Sequence, residues 1–131
     1  MASADGPCIK CDIEKVKVIN EQIDNLTFTI LADFLCTFDS TCINNGEYSE
    51  WSNATLFLVL RKAPKLFMDV VSKTHIRSKV IIYELENPIH DQIKLQQVYD
   101  TIKTTDIPKK IKALYLKAVW TAAEKSGETI K

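Results

Sequence analysis

The chain has 131 residues, enough for one domain whose core needs no crosslink to stay folded. Hydrophobic residues make up 46% and charged residues 26%, and three glycines with four prolines are too few for an all-β sandwich, which needs a turn every ~8–12 residues. Seventeen bases balance seventeen acids, which excludes the strongly basic class of nucleic-acid binders, and there is no apolar run of membrane-spanning length.

The charge is unevenly placed. Residues 1–50 carry nine acids against three lysines, a net of −6, and residues 51–131 carry eight acids against fourteen bases, a net of +6. The opening MASADGP lacks the basic, apolar and small-residue zones of a signal peptide. Residues 1–11 are expected to be a flexible leader, 12–125 a single helical domain and 126–131 a frayed C-terminus.

Asp12 suits an N-cap, and Val16, Ile19, Ile23, Leu26 and Ile30 follow it at spacings of three and four. Phe28, Leu31, Leu35 and Phe38 form a second stripe on another face, so one long helix running to about Phe38 is expected, buried on two sides in its second half. Asp33 falls where the first stripe wants an apolar residue. A carboxylate there could titrate at raised pH, but a place at the rim of the core is the commoner outcome.

The polar stretch that follows contains Asn44-Asn45-Gly46, residues that tolerate positive φ, so the chain should turn there. Helix two should start near Ser49, capped by Ser49 or Ser52, and its ATLFLVL run at 54–60 is apolar all round, as a central helix is. Pro64 ends it and can open a third helix, KLFMDVVSK, in an antiparallel pair. SKVIIYELENP, residues 78–88, mixes strand formers with helix formers; it reads as helix, because a lone strand has no partner. A fifth helix fits residues 91–103 with Asp91 as cap, and a sixth runs from Asp106 and Pro108 along Ile107, Ile111, Leu114, Ala118 and Ala122 toward Gly127. The expected fold is all-α: a single irregular bundle of about six helices, a long first one followed by short antiparallel pairs.

Four cysteines, Cys8, Cys11, Cys36 and Cys42, all lie in the first third. Cys8-Ile9-Lys10-Cys11 is half of a zinc site, but Cys36 and Cys42 are spaced too loosely for the other half. A catalytic CxxC at a helix start is conceivable, yet the strand-then-helix context of a thioredoxin-like fold is missing. Two disulfides are the favoured reading, in one of three connectivities, and they point to a periplasmic or extracellular setting. A calcium loop is rejected, because taking Gly46 as its turn glycine places Thr41 and Ile43 at ligand positions they cannot fill.

Catalysis lacks a cast. His75 and His90 are the only histidines, and Ser72 or Ser78 beside His75 has no nucleophile elbow and no third partner. An enzyme would need at least two of Asp33, His75 and His90 in one pocket. No glycine-rich phosphate loop exists, and no cofactor or metal is expected. Asn25-Leu26-Thr27 and Asn53-Ala54-Thr55 match the glycosylation pattern, but both fall inside expected helices and read as chance matches.

What remains is a small, soluble, non-enzymatic domain that binds another protein, of inhibitor, immunity or adaptor type, with a zinc or thiol-redox protein as the alternative. Nucleic acid and a membrane span are not expected among its partners. Expected contact residues are Asp39, Glu47, Tyr48 and Glu50 around the polar loop, then Lys109, Lys110 and Lys117 on the last helix.

Overall fold

Local signals set most of the element boundaries in the computed structural model, which describes residues 8–74, 76–90 and 93–131, with Ile43 by its backbone alone. Asp12 accepts from the Glu14 amide and opens α1, Ile13–Glu21. The chain then leaves helical geometry at 22–27, and Thr27 caps a separate α2, Phe28–Leu35, by accepting from the Ile30 amide. The long first helix expected from the two stripes is therefore two helices. The break falls where the apolar stripe changes face, and Asp24, Asn25 and Thr27 are all residues that compete with the helix backbone for hydrogen bonds.

A 3₁₀ turn at Ser40–Asn44 follows, capped by Asp39. Asn45, not Ser49 or Ser52, caps α3, Gly46–Lys62, accepting from the Tyr48 amide at 3.3 Å. Ser52 is instead buried. Ala63 alone separates α3 from α4, Pro64–Lys73, where the proline occupies the first turn. VIIY is helical, inside α5, Ser78–Glu86. Helix α6 is Leu95–Thr104, shorter at its start than expected, and α7 is Lys109–Ser126. The expected Asp91 cap lies outside the described residues. Among the described residues there are seven α-helices and no strand.

The apolar-all-round α3 is the hub, touching α1, α4, α5 and α6, while α7 closes the other side against α5 and α6. One continuous core results, with side chains from all seven helices. Phe34, Phe38 and Tyr48 form one aromatic cluster beneath the polar loop, and Phe67 meets Tyr115 edge-on across α4 and α7. Among the described residues the buried side-chain polar atoms are paired except one Asp33 carboxylate oxygen: Asn20 donates to Thr55 (2.9 Å), and the Thr37 and Tyr48 hydroxyls share a hydrogen bond of 2.7 Å. No helix among the described residues is long and apolar enough to cross a membrane.

Both ends of the described chain are tied to the fold. Cys8 to Cys11 belong to the fold through two disulfides. At the far end Ile130 is buried, and the Lys131 amide donates to Gln96 on α6 (2.9 Å), so the tail after Gly127 is docked.

Candidate functional site: the polar loop and its covalent pins

Cysteines 8 and 36 pair, as do 11 and 42, with Cα atoms 6.0 and 5.5 Å apart. This crossed pattern ties residues 8–11 to the end of α2 and to the 3₁₀ turn. Cys8 is exposed, whereas Cys42 is buried at 6%. Cys11 has φ 59°, a left-handed conformation that costs a non-glycine residue about 1–2 kcal/mol. Its crosslink and a hydrogen bond from its amide to the Thr37 carbonyl (2.8 Å) hold it there.

Asp39 organises the loop between the pins. One carboxylate oxygen accepts from both the Thr41 hydroxyl (2.5 Å) and the Thr41 amide (3.1 Å). The other faces Lys10 (3.5 Å) and Arg77 (3.4 Å). The Thr41 donors, helped by Lys10, hold its carboxyl down from 3.8 to about 2. Arg77 also donates to the carbonyls of Cys36 (3.2 Å) and Phe38 (2.8 Å), which α2 leaves without helical partners. One arginine at the start of α5 thus fixes the loop electrostatically where the disulfides fix it covalently.

The expected contact residues divide. Glu47 and Glu50 are exposed on the first turn of α3, and Lys109, Lys110 and Lys117 are exposed on α7. Asp39 keeps only 11% of its side chain exposed, its oxygens being taken up by the ion pairs. Tyr48 is not a surface residue: it is 1% exposed, and burial pushes its hydroxyl up to about 12. It lies one turn inside α3 on the face that meets Phe38, which corrects its placement on the loop surface.

A cleft of about 380 Å³ runs between this loop and α5, lined by Asp39, Ser40, Lys79, Val80, Tyr83 and Glu84. Tyr83 stands 52% exposed at its edge. The contact expectations missed it, yet the spacing held the signal: Ile81 and Leu85 are i, i+4 core residues, which puts Tyr83 on the opposite face. On the cleft floor the Glu84 carboxyl is raised by burial, with Asn53 donating to it at 2.9 Å.

Of the residues considered for chemistry, Asp33 and His90 fall among the described residues, on separate segments and with no hydrogen bond between them. Asp33 lies on α2 with one carboxylate oxygen buried and, among the described residues, without a hydrogen-bond partner. His90 contacts the Glu50 carbonyl (3.2 Å) beside α3, and His75 lies outside the described residues. Sulfurs bonded in disulfides are not thiolates, the form that zinc ligation and thiol chemistry both require. The described residues hold no cluster of three or more potential metal ligands.

Fold and site define an all-α domain whose polar loop is stapled by two disulfides, a feature of oxidising compartments. Comparison with known proteins finds no matching family model, no matching curated protein and no matching solved structure.

Proposed function

We propose that the chain is an exported, non-enzymatic binding domain, periplasmic or extracellular, that acts as an inhibitor, immunity-type or adaptor protein on a protein partner. The contact face is the polar loop with the start of α3 and the exposed side of α5: Glu47 and Glu50, then Lys79 and Tyr83. The observation that carries this is the exposed Tyr83 beside a cleft whose opposite wall is held by two disulfides and the Asp39–Arg77 pair. A half-exposed aromatic at a preorganised concave edge is what interface hot spots are made of, because little ordering entropy is left to lose on binding. The lysine face of α7, Lys109, Lys110 and Lys117, is the second choice; Glu124 and Asp106 dilute its charge.

The test is quantitative capture of partners from the source's extracytoplasmic fraction with the oxidised protein, comparing Tyr83→Ala with Glu47→Lys/Glu50→Lys and with Lys109→Glu/Lys110→Glu/Lys117→Glu. Loss of one specific partner, by tenfold or more, in the first two variants and not the third supports the loop face. Retention of that partner by the first two and its loss in the third moves the site to α7. Intact mass without reductant comes first: a chain four hydrogens lighter than its reduced form, with no alkylatable thiol, is the expected state.

A further inference from the structure

Two Asn-X-Thr segments occur in the chain, Asn25-Leu26-Thr27 and Asn53-Ala54-Thr55, and the fold treats them in opposite ways. Asn53 is fully buried in α3: its amide nitrogen donates to the Glu84 carbonyl (3.1 Å) and side chain (2.9 Å), and its oxygen accepts from the Ile89 amide (2.9 Å). A sugar on that nitrogen is incompatible with the core. Asn25 lies outside any helix, on the bend between α1 and α2, and is exposed. Its backbone amide is satisfied by Gln22 (2.8 Å), and its side chain points to no partner among the described residues. The residue after it is leucine, so the pattern is not blocked by proline.

We infer that Asn25 is an N-glycosylation acceptor and that the folded protein carries its glycan there and not at Asn53. The inference rests on the proposed export through an oxidising secretory compartment, to which the two disulfides point. The reaction needs an oligosaccharyl transferase and a polyprenyl-diphosphate-linked oligosaccharide as donor. The Asn25 amide nitrogen forms the bond to the anomeric carbon, the anomeric C–O bond breaks, the diphosphate leaves with its electron pair, and an enzymic base takes the amide proton. Transfer onto the unfolded chain leaves the Thr27 hydroxyl free for recognition; in the fold it then becomes the cap of α2. A chain modified at Asn53 instead cannot complete its core.

The position also suits the proposed binding face. Helix α1 starts at the crosslinked end and α2 returns to it, so their connecting bend lies at the opposite pole, ~13 Å along a nine-residue helix. Asp24 pairs there with Lys62 at the end of α3 (3.6 Å), the end remote from Glu47. A glycan at Asn25 shields that pole and leaves the polar loop and Tyr83 uncovered.

The experiment is secretion of the full chain from a eukaryotic cell, with a cleavable signal, followed by peptide-N-glycosidase treatment, gel mobility and intact mass. The expected result is one enzyme-sensitive glycan on a secreted chain with both disulfides, lost completely in Asn25→Gln and Thr27→Ala and kept in Thr27→Ser. Peptide mapping then finds the deamidation left by the enzyme at position 25 and not at 53. Secreted, doubly disulfide-bonded protein with no glycan at Asn25, or with one at Asn53, overturns this inference alone. Retention of the chain inside the cell with free thiols overturns it together with the proposed export.

Discussion

Asn53 shows most clearly how a single polar side chain is committed to structure. It has no exposed surface and ties α3 to both α5 and the turn after it, through Glu84 and the Ile89 amide. Asn53→Ala strands buried partners on two segments, so a loss of about 2–4 kcal/mol is expected in denaturant unfolding. Asn25→Gln, by contrast, changes an exposed bend and stays within about 0.5 kcal/mol of the parent in the same measurement. Asp39 makes a prediction about pH. Its carboxyl is lowered to about 2 by the Thr41 donors, so the folded state favours the charged form. That stabilisation is complete above the ordinary value of 3.8 and is lost as pH falls toward about 2. Glu84 works in the reverse direction, since burial raises its carboxyl and the folded state favours its neutral form. The quantity to read is therefore the difference between the parent and Asp39→Asn: the unfolding midpoint of the variant falls less steeply through the acid window. Equal slopes would show that Asp39 contributes no linkage.

At the scale of elements, the two disulfides act on one stretch of chain and do not act independently. Each closes a ring of about thirty residues, for which loop-closure entropy gives about 3–4 kcal/mol when the crosslink acts alone. Because the rings cross, either bond already keeps residues 8–11 near 36–42. Removing Cys8–Cys36 or Cys11–Cys42 singly, as serine pairs, is expected to cost less than this, and removing both more than the two single losses together. Additive losses in thermal unfolding would refute a shared constraint. This coupling shows where the sequence was legible and where it was not. The even cysteine count, the all-round apolar run of α3 and the apolar stripe of α7 were readable, since they are local patterns. The crossed pairing was not, because all three connectivities fit the spacing: the return of α2 toward the start of α1 brings residues 8–11 to 36–42, and only the geometry at that meeting separates 8–36 with 11–42 from 8–42 with 11–36. The split at 22–27 escaped for a related reason: Ile23 and Leu26 continue the stripe, and both do pack on the core, from the turn rather than from a helix. Arg77 gave no local signal, as its partners lie about forty residues earlier. The cleft beside Tyr83 is likewise a product of tertiary packing, not of any motif.

Among the described residues, the opposed charges of the two halves are drawn together at two of five ion pairs, Asp24–Lys62 and Asp39–Arg77. Both are partly exposed and contribute modestly, so attraction between the halves is not what makes the fold one unit. The core does that. Val16 and Ile19 of α1, Leu56 and Leu60 of α3, Ile81 of α5, Val98 of α6 and Tyr115 of α7 belong to a single buried cluster, and α3 cannot leave it without exposing the faces of four other helices. The described buried apolar residues of all seven helices fall in that one cluster, and α3 spans the junction between the acidic and the basic half of the sequence. With the disulfides intact, the 131-residue chain should therefore unfold in one cooperative step, with an enthalpy of about 90 kcal/mol near 60 °C. Scanning calorimetry decides the matter by comparing calorimetric with van't Hoff enthalpy. Agreement identifies one unit. A calorimetric value well above the van't Hoff value would mean that the crosslinked α1–α2 region and the α5–α7 region melt separately, and Tyr83 would then face the polar loop across a joint instead of across a fixed cleft.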